Sequence, residues 1–521
     1  MNRIFPILLI FISSVAVAKE NVSLDLFFRL LEQGKSKQAQ ELVPKNLPAN
    51  HALRRFLEAQ ILFYQQKYKE AETHLQGIEA TGGLSEQIQS LRALAQTTRE
   101  RTGAFQTFST KHFEFRFADG KDRVLPMYAA DTLESARMRI GDDLGVLPGE
   151  KVTVEFYPSW KDFTAISTLT ETEVETSGTI ALCKFNRISV ATPRALLRGY
   201  PWLDTVAHEY THYLINRASN GLAPVWLHEG IAKFEESRWR TSRESNLSKQ
   251  TQALLLKRLR KGTLIPLEKM HPSIAKLKTP EDAEVAFAEV FYLVSYLVEK
   301  RGGIDRVRQL LNTLGTGVEM PRAFSQIYGQ NFSELFNGWL AWLKTQSLAE
   351  DPYAQAQKIS LRADSDAPED TAHADLLAVQ DDQARGFIRI GDLLQERNRL
   401  IAARTEYEKA DKILPRHSAY LLNKIALASL ALNDSNRALE ALNKAVEETP
   451  EYPASYTRRA MLHLSRKEME KAEADFLSAN ALNPFDPEIH LGLQKIYETR
   501  NDSVKVAREK NARKALRVPV K

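Results

Sequence analysis

Apolar and polar positions change period along this chain, and the changes divide it. Phe113 to Phe117 alternates strictly, and Val152 to Phe156 is rich in β-branched residues, so both read as strands. Between them, from about Val124 to Asp143, the apolar residues recur at helical spacing. Gly178 to Cys183 and Ile188 to Ala191 read as the two strands of a hairpin, and from Pro201 to about Thr345 the pattern is helical. Residues 350–382 then hold nine acids against two basic residues, with Pro352 and Pro368, and read as a mobile tether with too little apolar content to join a core.

The C-terminal third repeats. Pro415, Pro450 and Pro484 recur at intervals of 35 and 34. Gly391, Ala403, Tyr407 and Ala410 precede the first; Ala426, Ala438, Leu442 and Ala445 the second; Ala460, Ala472, Phe476 and Ala479 the third. Small residues at these offsets let two helices approach closely, and the pattern resembles tetratricopeptide repeats. Three repeats span about 384–486, with a partial fourth through Tyr497 and a basic capping helix. Stacked, they are expected to form one right-handed array. A weaker pair, Ala39 and Ala71, lies 32 residues apart near the N-terminus.

Composition narrows the class without choosing within it. The 521 residues are 43% hydrophobic, 26% charged and 9% aromatic, which excludes a disordered, collagen-like or multispanning membrane protein. A net charge of +5 gives no sign of a nucleic-acid partner. One cysteine, Cys183, rules out an internal disulfide and a cysteine metal cage, and it reads as a small buried hydrophobe on a strand. At the start, Arg3, an apolar run from Phe5 to Val15, and Ala16-Val17-Ala18 before Lys19 have the form of a signal peptide, with an uncleaved anchor as the alternative. A bacterial periplasmic or secreted protein is expected, with no integral membrane segment once residues 1–18 are removed.

His208-Glu209-Tyr210-Thr211-His212 is an HExxH string. On a helix, residues four apart share a face, so both imidazoles can reach one metal ion. Glu209 lies about 100° around the helix from His208, beside a metal rather than on it, where it can deprotonate a water. Pro201 opens this helix and Ser219-Asn220-Gly221 closes it; Pro224 opens a second, through Glu236. A loop this short makes the helices antiparallel neighbours, which returns Glu229 to the two histidines as a third ligand. His228 is either a substitute ligand or a hydrogen-bonded cleft histidine.

HEYTH followed by PVWLHEGIAKFEE resembles the peptidase MA-like gluzincins over about residues 108–345. The resemblance implies Zn2+ on His208, His212 and Glu229, Glu209 as general base, and a strand, here Gly178 to Cys183, that pairs with extended substrate. Ile215 and Ala218 stand where metzincins would carry their third histidine. Thermolysin-like gluzincins place an Asp four residues past the third ligand to orient a histidine; here that residue is Lys233, which leaves Asp204 as the candidate partner. Tyr292 and Tyr296 are candidate oxyanion stabilisers, or else core or surface aromatics. Phe336, Trp339 and Trp342 read as core. Arg238, Arg240, Arg243 and Lys257 to Lys261 read as a solvated helix face, the alternative being a steering patch for an acidic partner.

The expected fold is an α+β zincin-like metallopeptidase domain flanked by all-α tetratricopeptide-like repeats. Its parts are a signal peptide (1–18), an N-terminal helical repeat (19–105), the peptidase domain (106–346), an acidic linker (347–383) and the C-terminal solenoid (384–521). The expected activity is hydrolysis of peptide or protein substrates, with the repeats recruiting protein partners. The rival readings are an inactive periplasmic adaptor and a structural zinc site, although three ligands leave a position open that structural sites close.

Overall fold

A computed structural model describes residues 23–240, 247–356, 360–363 and 371–516. The signal segment and Arg243 lie outside them. Most of the described chain is helical, around one small mixed sheet. Strands β1 (Gln106–Ser109), β2 (Phe113–Phe117), β3 (Val152–Tyr157), β4 (Ala181–Lys184) and β5 (Arg187–Ala191) lie in the order β1-β2-β3-β5-β4. The β2–β3 and β3–β5 pairs are parallel, while β1 and β4 run antiparallel at the two edges. Phe113, Phe115 and Phe117 are buried, as their alternation requires. β3 is buried along its whole length, so its one charge needs a partner; Arg187 Nε lies 3.0 Å from Glu155.

The hairpin strands sit three residues later at the start of β4 than their composition suggests. Gly178 takes a left-handed conformation (φ 72°) to end the helix Glu171–Ser177, so extended chain begins only after it. Phe185 and Asn186 form the two-residue turn, both with φ near +55°, the geometry that matches strand twist. This turn is tied to the N-terminal helices, which are α1 (Leu24–Glu32), α2 (Ser36–Glu41), α3 (Ala52–Tyr64), α4 (Tyr68–His74) and α5 (Gly83–Thr102). The Glu32 carboxylate accepts from the Phe185 and Asn186 amides, both at 3.3 Å, and from the Tyr64 hydroxyl at 2.6 Å. The Phe185 ring meets Phe63 and Tyr64 edge-on. Ala39 and Ala71, the small positions of the weak N-terminal pair, are fully buried.

Helix α6 (Leu125–Leu144) precedes β3. After the sheet come α7 (Trp160–Ile166), α8 (Glu171–Ser177), α9 (Trp202–Ala218), α10 (Val225–Glu235), α11 (Lys249–Lys261), α12 (Pro280–Lys300), α13 (Ile304–Gly315), α14 (Met320–Tyr328) and α15 (Phe332–Leu343). α10 packs closely on α12, and Gly230 sets the distance. A Cβ there would stand 2.7 Å from both the Val290 carbonyl oxygen and Val294 Cγ2. Gly230→Ala is therefore expected to lower the unfolding free energy by about 1–3 kcal/mol, read as a reduced urea midpoint.

Close contacts divide the chain into two units: residues 1–118, 129–191 and 204–359 in one, and 119–128, 192–203 and 360–521 in the other. The second unit contains α16 (Thr371–Ala378), then α17 (Asp382–Glu396), α18 (Leu400–Ile413), α19 (Ala419–Ala431), α20 (Ser435–Glu448), α21 (Pro453–Ser465), α22 (Met469–Leu482), α23 (Pro487–Thr499) and α24 (Ser503–Leu516). Ala403, Ala438 and Ala472 are fully buried. The sequence suggests three repeats, part of a fourth and a cap; the structure shows α23 and α24 as a complete fourth pair. Glu509, buried in α24, lies 2.9 Å from His490 Nδ1 and accepts from Tyr128 at 2.6 Å.

Short segments from earlier in the chain complete this unit. Trp202 is fully buried and donates its indole N–H to the Asn480 carbonyl at 2.9 Å. The Tyr200 amide donates to the Leu482 carbonyl at 3.0 Å, and Arg194 clasps the buried Asp122 through two bonds. Described residues of the acidic stretch are held by contacts, where the sequence suggests a tether. Leu361 bridges to Leu196, the Arg362 amide donates to the Ala195 carbonyl, and Asp375 is held by Arg198 and the Tyr452 hydroxyl. Backbone pairing and an ion pair supply the order that its composition does not. No helix among the described residues is long and apolar enough to cross a membrane.

Candidate metal centre

α9 starts just after Pro201, and Asp204 in its first turn suits the positive end of the helix. It ends at Ala218, where Asn220 and Gly221 take positive φ and turn the chain. Pro224 then caps α10. The residue pairs across the two helices run in opposite directions, His212 with His228 and His208 with Glu236, so the helices are antiparallel.

This geometry converges three donors. His208 Nε2 lies 3.5 Å and His212 Nε2 3.4 Å from Glu229 Oε2. One donor atom from each residue falls within 4.8 Å of the others. Four donors at zinc bond lengths of about 2.0–2.1 Å in a tetrahedron stand roughly 3.3 Å apart, so the set fits such an ion. Glu209 is 7% exposed and stays off the trio; its carboxylate accepts from the backbone N–H of Cys183 on β4.

Electrostatics favour positive charge here. Burial opposes an imidazolium at His208, but hydrogen bonds to Glu229 and Glu236 outweigh it and raise its pKa to about 10. Burial likewise disfavours the Glu229 anion, yet the two histidines hold its carboxyl below the usual range. His228, buried beside His212, is pushed down to about 3 and stays neutral. Burial raises Glu209, with His212 and His208 pulling the other way. A carboxylate poised upward suits proton transfer near neutral pH.

Glu236 is the residue that sequence reasoning missed. It accepts from His208 Nδ1 at 3.2 Å and holds the Lys233 ammonium at 2.6 Å. The available signal was its spacing: seven residues past Glu229 is within 20° of two full turns, hence the same helix face. Asp204 is not that partner. Its carboxylate takes the Trp239 indole N–H at 2.8 Å and the Arg240 guanidinium at 2.9 Å. His228 stands outside the converging trio; its Nδ1 lies 3.1 Å from His212 Nδ1.

Tyr292 and Tyr296 on α12 are not brought to the trio. Both rings lie against Trp342 of α15, and the Tyr296 hydroxyl accepts from Arg301 Nε at 2.8 Å. Of the three residues read as core, Trp339 is buried, while Phe336 and Trp342 are half-buried. The basic residues pair within the chain, Arg238 with Asp143 and Arg258 with Glu281 and Asp282. β4 is an edge strand of the sheet. Cys183 on it is half-buried, and burial raises its thiol pKa.

Fold and site thus define a mostly helical protein with a small mixed sheet, in which antiparallel helices present a His-His-Glu group of metal-binding type. Residues 132–345 match the model of the Peptidase MA superfamily, and residues 419–452 match that of the tetratricopeptide repeat. The chain therefore carries a Peptidase MA superfamily domain and tetratricopeptide repeats. No curated protein matches the chain. Among solved structures it is similar to YrrB, described as a TPR protein with an unusual peptide-binding site, at 15% identity over 26% of this chain and 69% of that one, with a TM-score of 0.23. TTC0263, a thermophilic TPR protein of Thermus thermophilus, shares 24% identity over 26% of this chain and 74% of its own, with a TM-score of 0.23. MamA of Desulfovibrio magneticus RS-1 shares 17% over 28% and 86%, with a TM-score of 0.24.

Proposed function

We propose that this protein is an exported, zinc-dependent endopeptidase of gluzincin type with a zincin-like α+β catalytic domain, whose tetratricopeptide repeats recruit protein substrates or partners. The observation that carries the reading is the convergence of His208 Nε2, His212 Nε2 and Glu229 Oε2, with Glu209 beside them and not among them. Two imidazoles and one carboxylate suit zinc, and three protein donors leave a position for water or substrate. A bound zinc ion would polarise that water and the scissile carbonyl. Glu209 would take the proton of the attacking water and return it to the leaving amine. The free edge of β4 supports in-line pairing of an extended peptide, since its outward backbone groups have no strand partner among the described residues. The n-region, apolar run and Ala16-Val17-Ala18 support export to a bacterial periplasm or beyond.

Purified protein is expected to hold about one zinc per chain, lost on His212→Ala, and to cleave casein or members of a peptide library. Metal analysis beside the cleavage assay tests this. Equal zinc in wild type and variant would remove the ligand assignment.

A further inference from the structure

We propose that Lys184, the last residue of the edge strand β4, sets a preference for peptides that carry an acidic side chain close to the bond to be cleaved. The proposal rests on the endopeptidase reading and names a substrate class for it. The strand itself gives Lys184 its place. The Glu209 carboxylate accepts from the Cys183 N–H, so at Cys183 the backbone of β4 faces out of the sheet. In an antiparallel pair, residues alternate in this respect. Lys184, in register with Arg187, therefore turns its backbone towards β5 and offers only its side chain. A strand rises roughly 3.4 Å per residue. Lys184 thus stands one step along the edge from the point where the candidate base meets the strand. A peptide paired with this edge would place the side chains beside its cleaved bond within reach of the ammonium.

That ammonium lacks what the other strand cations have. Arg116 lies 2.8 Å from Glu114 and Arg187 3.0 Å from Glu155, but no carboxylate among the described residues reaches ion-pair distance of Lys184. Its Nζ donates to the Thr168 hydroxyl at 3.1 Å and lies 5.1 Å from the centre of the Phe185 ring. Glu32 attracts it from further away, yet both oxygens of Glu32 are bonded to the hairpin turn and Tyr64. Lys276, which lies 3.8 Å from Glu173, repels it. The side chain is half-buried, and burial penalises a charge left without a counter-ion. An ammonium has three protons to give, and Thr168 takes one of them. An arriving carboxylate would supply both the missing charge and a second acceptor. A cationic residue in the same place would meet two lysines. An internal bond has no chain end beside it, so the carboxylate is that of Asp or Glu.

The test compares end-blocked peptides that differ only in Asp against Asn, placed in turn at each position flanking the cleaved bond. Cleavage is measured with the zinc-loaded full chain. Affinity is measured with the full chain carrying Glu209→Gln, where binding is read without turnover. Wild type is expected to favour Asp over Asn by about 10–100-fold at one position. Lys184→Met should bring that ratio close to one, Lys184→Arg should keep it, and Lys184→Glu should turn the preference to Lys at the same position. Circular dichroism checks the fold of each variant, and Lys184→Gln is read in place of a Met variant that does not fold. Wild type with no Asp preference at any position overturns the proposal. So does a preference that Lys184→Met leaves intact, or a variant that loses Asp and Asn peptides equally, since the role of Lys184 is then structural. Wild type that cleaves none of the peptides overturns the endopeptidase reading, and the affinity ratio with Glu209→Gln then decides on Lys184 separately.

Discussion

Glu209→Gln is expected to lower kcat by about 10²–10⁴-fold while zinc content stays near one per chain. The amide is nearly the shape of the carboxylate and keeps an oxygen for the Cys183 N–H, so the fold has no reason to change. What disappears is the ability to accept a proton. Burial already pushes the Glu209 carboxyl upward, and a base so tuned has no replacement among the trio, because His208 and His212 turn Nε2 to Glu229 and Nδ1 to other partners. Loss of zinc from this variant would make Glu209 a ligand. A wild type that cleaves nothing across a broad peptide library, with zinc bound, would favour the inactive adaptor.

Deleting residues 384–521 is expected to abolish zinc retention and small-peptide cleavage, not merely action on large substrates. The sequence suggests the opposite, because its composition divides catalytic and repeat segments cleanly. In the structure, residues 119–128 and 192–203 group with the C-terminal helices. The deletion would remove Asn480, Leu482, His490 and Glu509, and with them the partners of Trp202, Tyr200 and Tyr128. Gly199, at φ 79°, abuts the Leu482 carbonyl so closely that a Cβ would collide with it. Each large side chain returned to water costs about 1.5–3 kcal/mol, so a few of them consume much of a typical net stability. Trp202 is the first residue of α9, and His208 lies six residues along the same helix. Zinc content and circular dichroism of residues 1–383 decide the matter; a truncated protein that keeps zinc and cleaves peptides would show the repeats to be separable.

The donor trio was legible because it lies within two helices whose ends are written in Pro201, Ser219 to Gly221 and Pro224, and because helical spacing turns sequence offsets into faces. The buried small positions at Ala403, Ala438 and Ala472 were legible because they recur. What escaped depends on contacts between distant residues. Glu236 satisfies a spacing rule, but only the fold shows that His208 lies opposite it. The partial fourth repeat and the capping helix were read, but not that they form one complete pair, because α24 is polar and buries a glutamate whose partner Tyr128 is 381 positions away. Tyr292 and Tyr296 sit on a helix that is apolar nearly all round, so periodicity could not say which neighbour each ring would meet.

The three hydrogen bonds that gather at Glu32 also set an order of events. The Phe185 and Asn186 amides are 153 and 154 residues from it along the chain. Closing a flexible loop of that length costs roughly 4 kcal/mol of chain entropy, against almost none for a two-residue hairpin turn. The β4–β5 hairpin can therefore form from local sequence alone, but the carboxylate that caps its turn arrives only after the intervening sheet has brought both ends together. During synthesis Glu32 leaves the ribosome first and waits for its donors. The edge strand beside the helices that carry His208, His212 and Glu229 thus owes its turn's cap to a residue more than 150 positions earlier in the chain.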